Sequence, residues 1–171
     1  NMTVATIDSF TGVVTGLGAG TSTITYTIGT GCRTTATISV NSLPSNITGT
    51  LYACVGASSN LGDATTGGSW SSGNTGIATV TSTGTVSGVS AGTVLISYTV
   101  GTGCSRTAVF TVNPLPAPIA GIFTVCIGGT TTLTDATSGG MWSGLSSGIA
   151  NVTPTGVVSG VSAGTANISY T

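Results

Sequence analysis

Four cysteines are the residues of this sequence with the clearest potential for covalent chemistry. Cys32 and Cys104 are 72 positions apart, and so are Cys54 and Cys126. The chain has no histidine and no Cys-x-x-Cys spacing, which disfavours a metal site. Structural disulfides are therefore the favoured interpretation, and they predict a location outside the reducing cytosol.

Two disulfide connectivities are compatible with this spacing. One joins Cys54 to Cys104, and the other joins Cys32 to Cys54 and Cys104 to Cys126. The chain-entropy model gives roughly 3–4 kcal/mol for either loop length, so energy does not separate them. We favour the Cys54–Cys104 bond. Its difficulty is that Cys54 precedes a predicted early strand while Cys104 lies at the last hairpin, and such positions can be at opposite ends of a sandwich.

Charge is nearly absent from the chain. Its 171 residues include five charged side chains, which are Asp8, Arg33, Asp63, Arg106 and Asp135. Two arginines 73 positions apart cannot form the basic stripe that nucleic-acid binding requires. The chain has no histidine and no pair of carboxylates within one repeat, so acid–base catalysis lacks its usual residues and zinc or haem sites lack their commonest ligand. The sequence predicts a protein that is not an enzyme, binds no cofactor or metal, and has no nucleic-acid partner.

Two tryptophans and two aspartates recur at the same spacing. Trp70 and Trp142 each follow a Gly-Gly pair closely and open a predicted strand. We interpret them as core residues between two sheets, and the alternative is an exposed platform for sugar rings. Asp63 and Asp135 stand in "LGDAT" and "LTDAT". One carboxylate per repeat is too few for a typical calcium site, so we expect turn hydrogen bonds instead.

These residues belong to a repeated unit. Residues 44–99 align with residues 116–171 without a gap, and more than half of the positions are identical. Residues 1–43 match the second half of the unit, with one extra residue near Phe10. A fixed period of this size indicates an array of similar domains. We predict the C-terminal part of one repeat at 1–43, a complete repeat at 44–115, and a repeat lacking its last strand at 116–171.

The unit reads as β-structure throughout. In "TVLISYTV", Val94, Ile96 and Tyr98 alternate with Leu95 and other residues on the opposite face. No window has a sustained helical period. Strands are predicted at 47–53, 58–65, 68–72, 76–82, 84–89, 93–101 and 104–113. Seven short strands separated by turns predict a small β-sandwich.

The combined motif resembles a known family. The order "GG-W-S…IATV…GTVSGVSAGT…ISYT" resembles bacterial immunoglobulin-like repeats of the Big-2 type, and the resemblance covers the whole chain. It implies an all-β chain of tandem immunoglobulin-like β-sandwich domains with a 72-residue repeat. The "Cys-x-Gly…Gly-Cys" variant is similar to repeats of large secreted surface proteins of Bacteroidetes-like bacteria. That resemblance implies an extracellular stalk, adhesin shaft or filament, and the alternative is a glycan- or cell-binding adhesion module.

The junctions and the neutral surface point to assembly. Four of the five prolines lie in "SLPSN" and "NPLPAP" between the repeats, where they should stiffen the connections. Edge strands that lack charged side chains tend to pair with other chains, so we expect self-association into fibres or lateral assemblies. Cell-surface glycans are a further possible partner. No stretch approaches 18 consecutive apolar residues, so no membrane span is expected in this segment.

Overall fold

The computed structural model describes residues 2–171, and within that range the chain forms strands and turns with no helix. This confirms the all-β prediction. The chain divides into two compact units, Asn1–Pro114 and Leu115–Thr171. The first unit contains the predicted first and second repeats, and the second unit contains the third.

The first unit begins with two hairpin-like pairs. Strands β1 (Ala5–Ile7) and β2 (Val14–Gly16) pair antiparallel, and so do β3 (Gly20–Thr27) and β4 (Arg33–Val40). These pairs correspond to the last four strands of the complete repeat that follows. Their counterparts in that repeat are described next.

The second repeat forms two four-stranded sheets. Its strands are β5 (Thr48–Gly49), β6 (Tyr52–Cys54), β7 (Ser58–Gly62), β8 (Ser69–Ser72), β9 (Ala78–Val80), β10 (Thr85–Gly88), β11 (Gly92–Thr99) and β12 (Ser105–Asn113). One sheet has the order β5-β7-β10-β9, and the other has the order β6-β12-β11-β8. Both sheets contribute to one core, so the repeat is a β-sandwich.

Alternation along the strands decides which side chains enter that core. On β11, Val94, Ile96 and Tyr98 are buried while Leu95 is exposed, as the sequence pattern predicts. The neighbouring strand β12 contributes Phe110, which is fully buried and pairs with Val94 in the antiparallel register. The complete core comprises Ala53, Leu61, Ala78, Val86, Val94, Ile96, Phe110 and Val112.

One predicted strand is divided between the two sheets. The region 47–53 forms β5, which pairs with β7, and β6, which runs parallel to β12 in the other sheet. The backbone crosses at Thr50 and Leu51, where the Thr50 carbonyl accepts a hydrogen bond from the Ser59 hydroxyl (2.6 Å). The Leu51 carbonyl accepts the Thr111 amide (3.0 Å). Both carbonyls therefore keep hydrogen-bond partners where the chain changes sheet.

The second unit repeats this plan with fewer strands. Its strands are β13 (Ala120–Gly121), β14 (Thr130–Thr134), β15 (Trp142–Gly144), β16 (Ala150–Val152), β17 (Val157–Gly160) and β18 (Ile168–Tyr170). The order β13-β14-β17-β16 matches β5-β7-β10-β9, and the β15–β18 pair matches β8 with β11. Leu133, Ala150 and Val158 form its smaller core.

Truncation of Phe110 should test the core. Phe110 is 0% exposed, whereas its neighbour Val109 is 57% exposed on the opposite face of the same strand. We expect Phe110→Ala to lower the free energy of unfolding by about 3–5 kcal/mol, since it leaves a cavity. Val109→Ala should change it by about 0.5 kcal/mol or less. Urea unfolding in a Trp142→Phe background, followed by Trp70 fluorescence, measures both; equal losses would contradict this core.

Candidate functional site: the junction between repeats

The chain segment that joins the first repeat to the second packs against the second repeat. We call residues 41–46 the linker. Pro44 is buried, and the adjacent Ser45 amide donates a hydrogen bond to the Thr65 hydroxyl oxygen (2.9 Å). That hydroxyl donates in turn to Ser45 Oγ (3.2 Å). The linker is therefore bound to the sandwich that follows it.

The turn that receives the linker is itself fixed to the core. Asp63 Oδ1 accepts the Thr65 amide (2.8 Å), which confirms a turn role for this aspartate. The Tyr98 hydroxyl donates to the Thr65 carbonyl (2.7 Å) and accepts the Gly68 amide (2.9 Å). Tyr98 belongs to β11 and is 6% exposed. One buried hydroxyl therefore connects the turn under the linker to the central strand.

Trp70 completes this arrangement from the neighbouring strand β8. Its ring lies 4.8 Å from the Tyr98 ring, centroid to centroid, at an interplanar angle of 52°. Any side chain at Gly68 would collide with the Tyr98 ring, which explains the second glycine of the Gly-Gly pair. Trp70 is half-buried and packs against the core cluster. It does not stand out from the surface as a flat platform for sugar rings.

The β11–β12 hairpin of the second repeat contacts the other side of the linker. Arg106 Nε donates to the Pro44 carbonyl (3.3 Å), and the Cys104 thiol lies 4.0 Å from the Asn41 carbonyl oxygen, to which it donates. Arg106 is exposed, as expected, but it also holds the linker. Sequence reasoning missed this contact. The recurrence of an arginine just after the hairpin cysteine, at Arg33 and Arg106, was the available signal.

The second unit contains the same contacts. The Ala117 amide donates to the Thr137 hydroxyl oxygen (2.7 Å), and Asp135 Oδ1 accepts the Thr137 amide (2.7 Å). The Tyr170 hydroxyl donates to the Thr137 carbonyl (2.6 Å) and accepts the Gly140 amide (3.0 Å). The Trp142 and Tyr170 rings are 4.9 Å apart. The second and third repeats therefore hold the segment that enters them through matching hydrogen bonds.

The structure contains no disulfide among residues 2–171, where all four cysteines are free thiols. The alternative pairing of Cys32 with Cys54 and of Cys104 with Cys126 stays a prediction. Cys54 is the register partner of Asn113, at the end of β12, whereas Cys104 precedes the first residue of that strand. Nine strand residues separate them by about 30 Å. A disulfide requires Cα atoms within about 7 Å, so the favoured Cys54–Cys104 bond is incompatible with the fold.

The charged groups are dispersed. Backbone amides of Thr11 and Phe10 donate to Asp8 and hold the pKa of its exposed carboxyl below its ordinary value.

Within residues 2–171, no three side chains of His, Cys, Asp or Glu come together as metal ligands. The same part of the chain contains no helix long and apolar enough to span a membrane.

Comparison with known proteins agrees with the sandwich architecture. Residues 57–111 match the family model described as "Bacterial Ig-like domain (group 2)". This match, with the two-sheet core, identifies the second repeat as an immunoglobulin-like domain. A search of curated proteins gave no match.

Several solved structures are similar to the chain at low identity. Domains 4 and 5 of the S-layer protein SbsC share 18% identity at a TM-score of 0.42, covering 76% of this chain and 94% of that one. A structure of SbsC domains 1–6 shares 16% identity at a TM-score of 0.39, covering 96% and 35%. A mutant of EHEC O157:H7 intimin shares 21% identity at a TM-score of 0.34, covering 60% and 50%.

Removing the Tyr98 hydroxyl should weaken the second repeat. Tyr98→Phe leaves the Thr65 carbonyl and the Gly68 amide without their shared partner, so we expect a loss of about 1–3 kcal/mol of unfolding free energy. Tyr26 occupies the matching position in the first repeat but is 68% exposed. Tyr26→Phe is therefore the matched control and should be nearly neutral. Urea unfolding of both variants measures the difference; an unchanged midpoint for Tyr98→Phe would refute this role.

Proposed function

We propose that this chain is a structural segment of an extracellular or cell-surface protein, in which tandem immunoglobulin-like repeats form a stalk, adhesin shaft or filament. The observation that carries the proposal is the bound linker. Pro44 is buried, Ser45 is hydrogen-bonded to Thr65, and the Pro44 carbonyl accepts Arg106. A connection held on two sides transmits force and orientation from one repeat to the next, unlike a flexible polar linker.

The path of the chain through the second repeat suits such a role. The repeat receives the linker beside the β11–β12 hairpin. Strand β12 then runs from this hairpin to Asn113, about 30 Å away, and Pro114 follows. The chain therefore enters the sandwich at one end and leaves it at the other. Repeats connected in this way add length, which is the property that a shaft requires.

The surface supports assembly and offers no catalytic machinery. Five charged residues in 171 produce little electrostatic repulsion between neighbouring copies. The chain has no lysine, so the outer strands of the sheets lack the residue that most often blocks edge-to-edge pairing. These features support self-association along or beside the shaft. The chain has no histidine and no two carboxylates within one repeat, so the proposed role is mechanical and not enzymatic.

Electron microscopy of the source cells tests this role. Antibodies raised against residues 44–115 and coupled to gold should label extended structures outside the cell along their whole length. Because one sandwich is about 30 Å long, the axial spacing of the repeats should be on the order of 30–40 Å. Preimmune serum is the control.

Two other labelling patterns would contradict the shaft. Gold confined to the tips of fibres would favour the glycan- or cell-binding adhesion module. Gold confined to the cell interior would refute both surface roles.

A further inference from the structure

The four cysteines lie at or close to the surface. Cys32, Cys54 and Cys126 are exposed, and Cys104 is half-buried. Free cysteine is ordinarily among the most buried residue types. Its placement on the surface at a constant 72-residue interval therefore needs a chemical reason.

The position of Cys54 is fixed by the end of the last strand. Cys54 lies directly beside Asn113 in the parallel pairing of β6 with β12, and the adjacent Val55 amide donates to the Asn113 carbonyl (3.0 Å). A Cβ atom added to Gly88 would lie 2.7 Å from the Cys54 carbonyl oxygen and 2.8 Å from the Val112 side chain. The backbone at Cys54 is therefore held tightly between Gly88 and the end of β12.

The first repeat contains a strand end that corresponds to the end of β12, but the sequence does not include the residue that corresponds to Cys54. Asn41 and Val40 precede Asn113 and Val112 by 72 positions, and Gly16 precedes Gly88 by the same interval. A Cβ atom on Gly16 would lie 2.9 Å from Val40 Cγ1, which reproduces the contact of Gly88 with Val112. The end of β4 therefore occupies the same place in its repeat as the end of β12. In a first repeat completed at its N-terminal side, the counterpart of Cys54 belongs beside Asn41.

Cys104 of the second repeat contacts Asn41. Its Sγ atom is 4.0 Å from the Asn41 carbonyl oxygen. We infer that Cys104 forms a disulfide with the cysteine that occupies the Cys54 position in the preceding repeat. In a first repeat completed at its N-terminal side, the counterpart of Cys54 would lie about one strand spacing, 4.8 Å, from Asn41, and Cys104 contacts the same residue, so Asn41 brings the two cysteines to one place. Applied at every junction, this rule uses both cysteines of a complete repeat.

The bond forms by ordinary thiol–disulfide exchange. One cysteine thiolate attacks a small-molecule disulfide such as oxidised glutathione, forming a mixed disulfide and releasing one glutathione thiol. The second cysteine thiolate attacks the mixed disulfide at the protein sulfur and releases the other glutathione. Two cysteine thiols are thereby oxidised and one glutathione disulfide is reduced to two thiols. The inference goes beyond the proposed shaft function, because it concerns a covalent lock that depends only on the fold and an oxidant.

A lengthened chain tests the pairing. Placing a copy of residues 44–73 before Asn1 completes the first repeat, since Asn1 corresponds to Asn74. After equilibration in a glutathione redox buffer, peptide mapping by mass spectrometry should find one disulfide, between the cysteine of the added segment and Cys104. Cys32, Cys54 and Cys126 should remain alkylatable. The original chain in the same buffer should retain four free thiols.

Matched variants separate this pairing from the others. Cys104→Ser should abolish the intramolecular disulfide, whereas Cys32→Ser and Cys126→Ser should leave it intact. A bond from the added cysteine to Cys32, a bond between Cys32 and Cys54, or a folded chain without a disulfide would overturn the inference. If circular dichroism shows that the lengthened chain does not fold, the same peptide map on the protein from its source cells decides between these pairings. Since the main test is made in a defined buffer, its failure would leave the shaft proposal standing.

Discussion

The organisation of the complete repeat depends on one buried tyrosine side chain, Tyr98. The Tyr98 hydroxyl satisfies the Thr65 carbonyl and the Gly68 amide at once, and its ring occupies the space above Gly68 beside Trp70. Because Tyr98 lies on β11, an inner strand of its sheet, the turn cannot move without disturbing the core. The same turn receives the linker through Thr65. Core packing, turn conformation and linker geometry are thus connected by a few short contacts.

This arrangement suits a chain that has almost no charge. Because the chain has only five charged side chains, hydroxyl groups and backbone amides make most of its polar contacts. Their hydrogen bonds depend less on salt than exposed charge pairs do. Asp63 and Asp135 contribute as acceptors for turn amides. The high threonine and serine content supplies donors for turns and linkers, as Thr65 and Thr137 illustrate. A domain of about 72 residues is small, so these contacts matter alongside a modest core.

Much of the fold follows from the sequence, and the failures have physical causes. Alternation in "TVLISYTV" predicts the buried face of β11, and the 72-residue period predicts that the units repeat. The division of 47–53 between two sheets escapes prediction, because the crossing at Thr50 and Leu51 depends on partners distant in the chain. The prediction of a Cys54–Cys104 disulfide is wrong for the same reason. Spacing gives loop length, but only strand register shows that Cys54 and Cys104 lie at opposite ends of β12.

The central claim is that the linker is as ordered as the sandwich that it enters, and backbone ¹⁵N relaxation of the 16.4 kDa chain tests it most directly. Ser45 and Asn46 should have order parameters near those of the core strand residue Leu61, about 0.85. Thr65→Ala, which removes the hydroxyl that binds the Ser45 amide, should lower the linker values while leaving Leu61 unchanged. Values below about 0.6 for Ser45 and Asn46 in the unmodified chain would mean a flexible connection and would contradict the account.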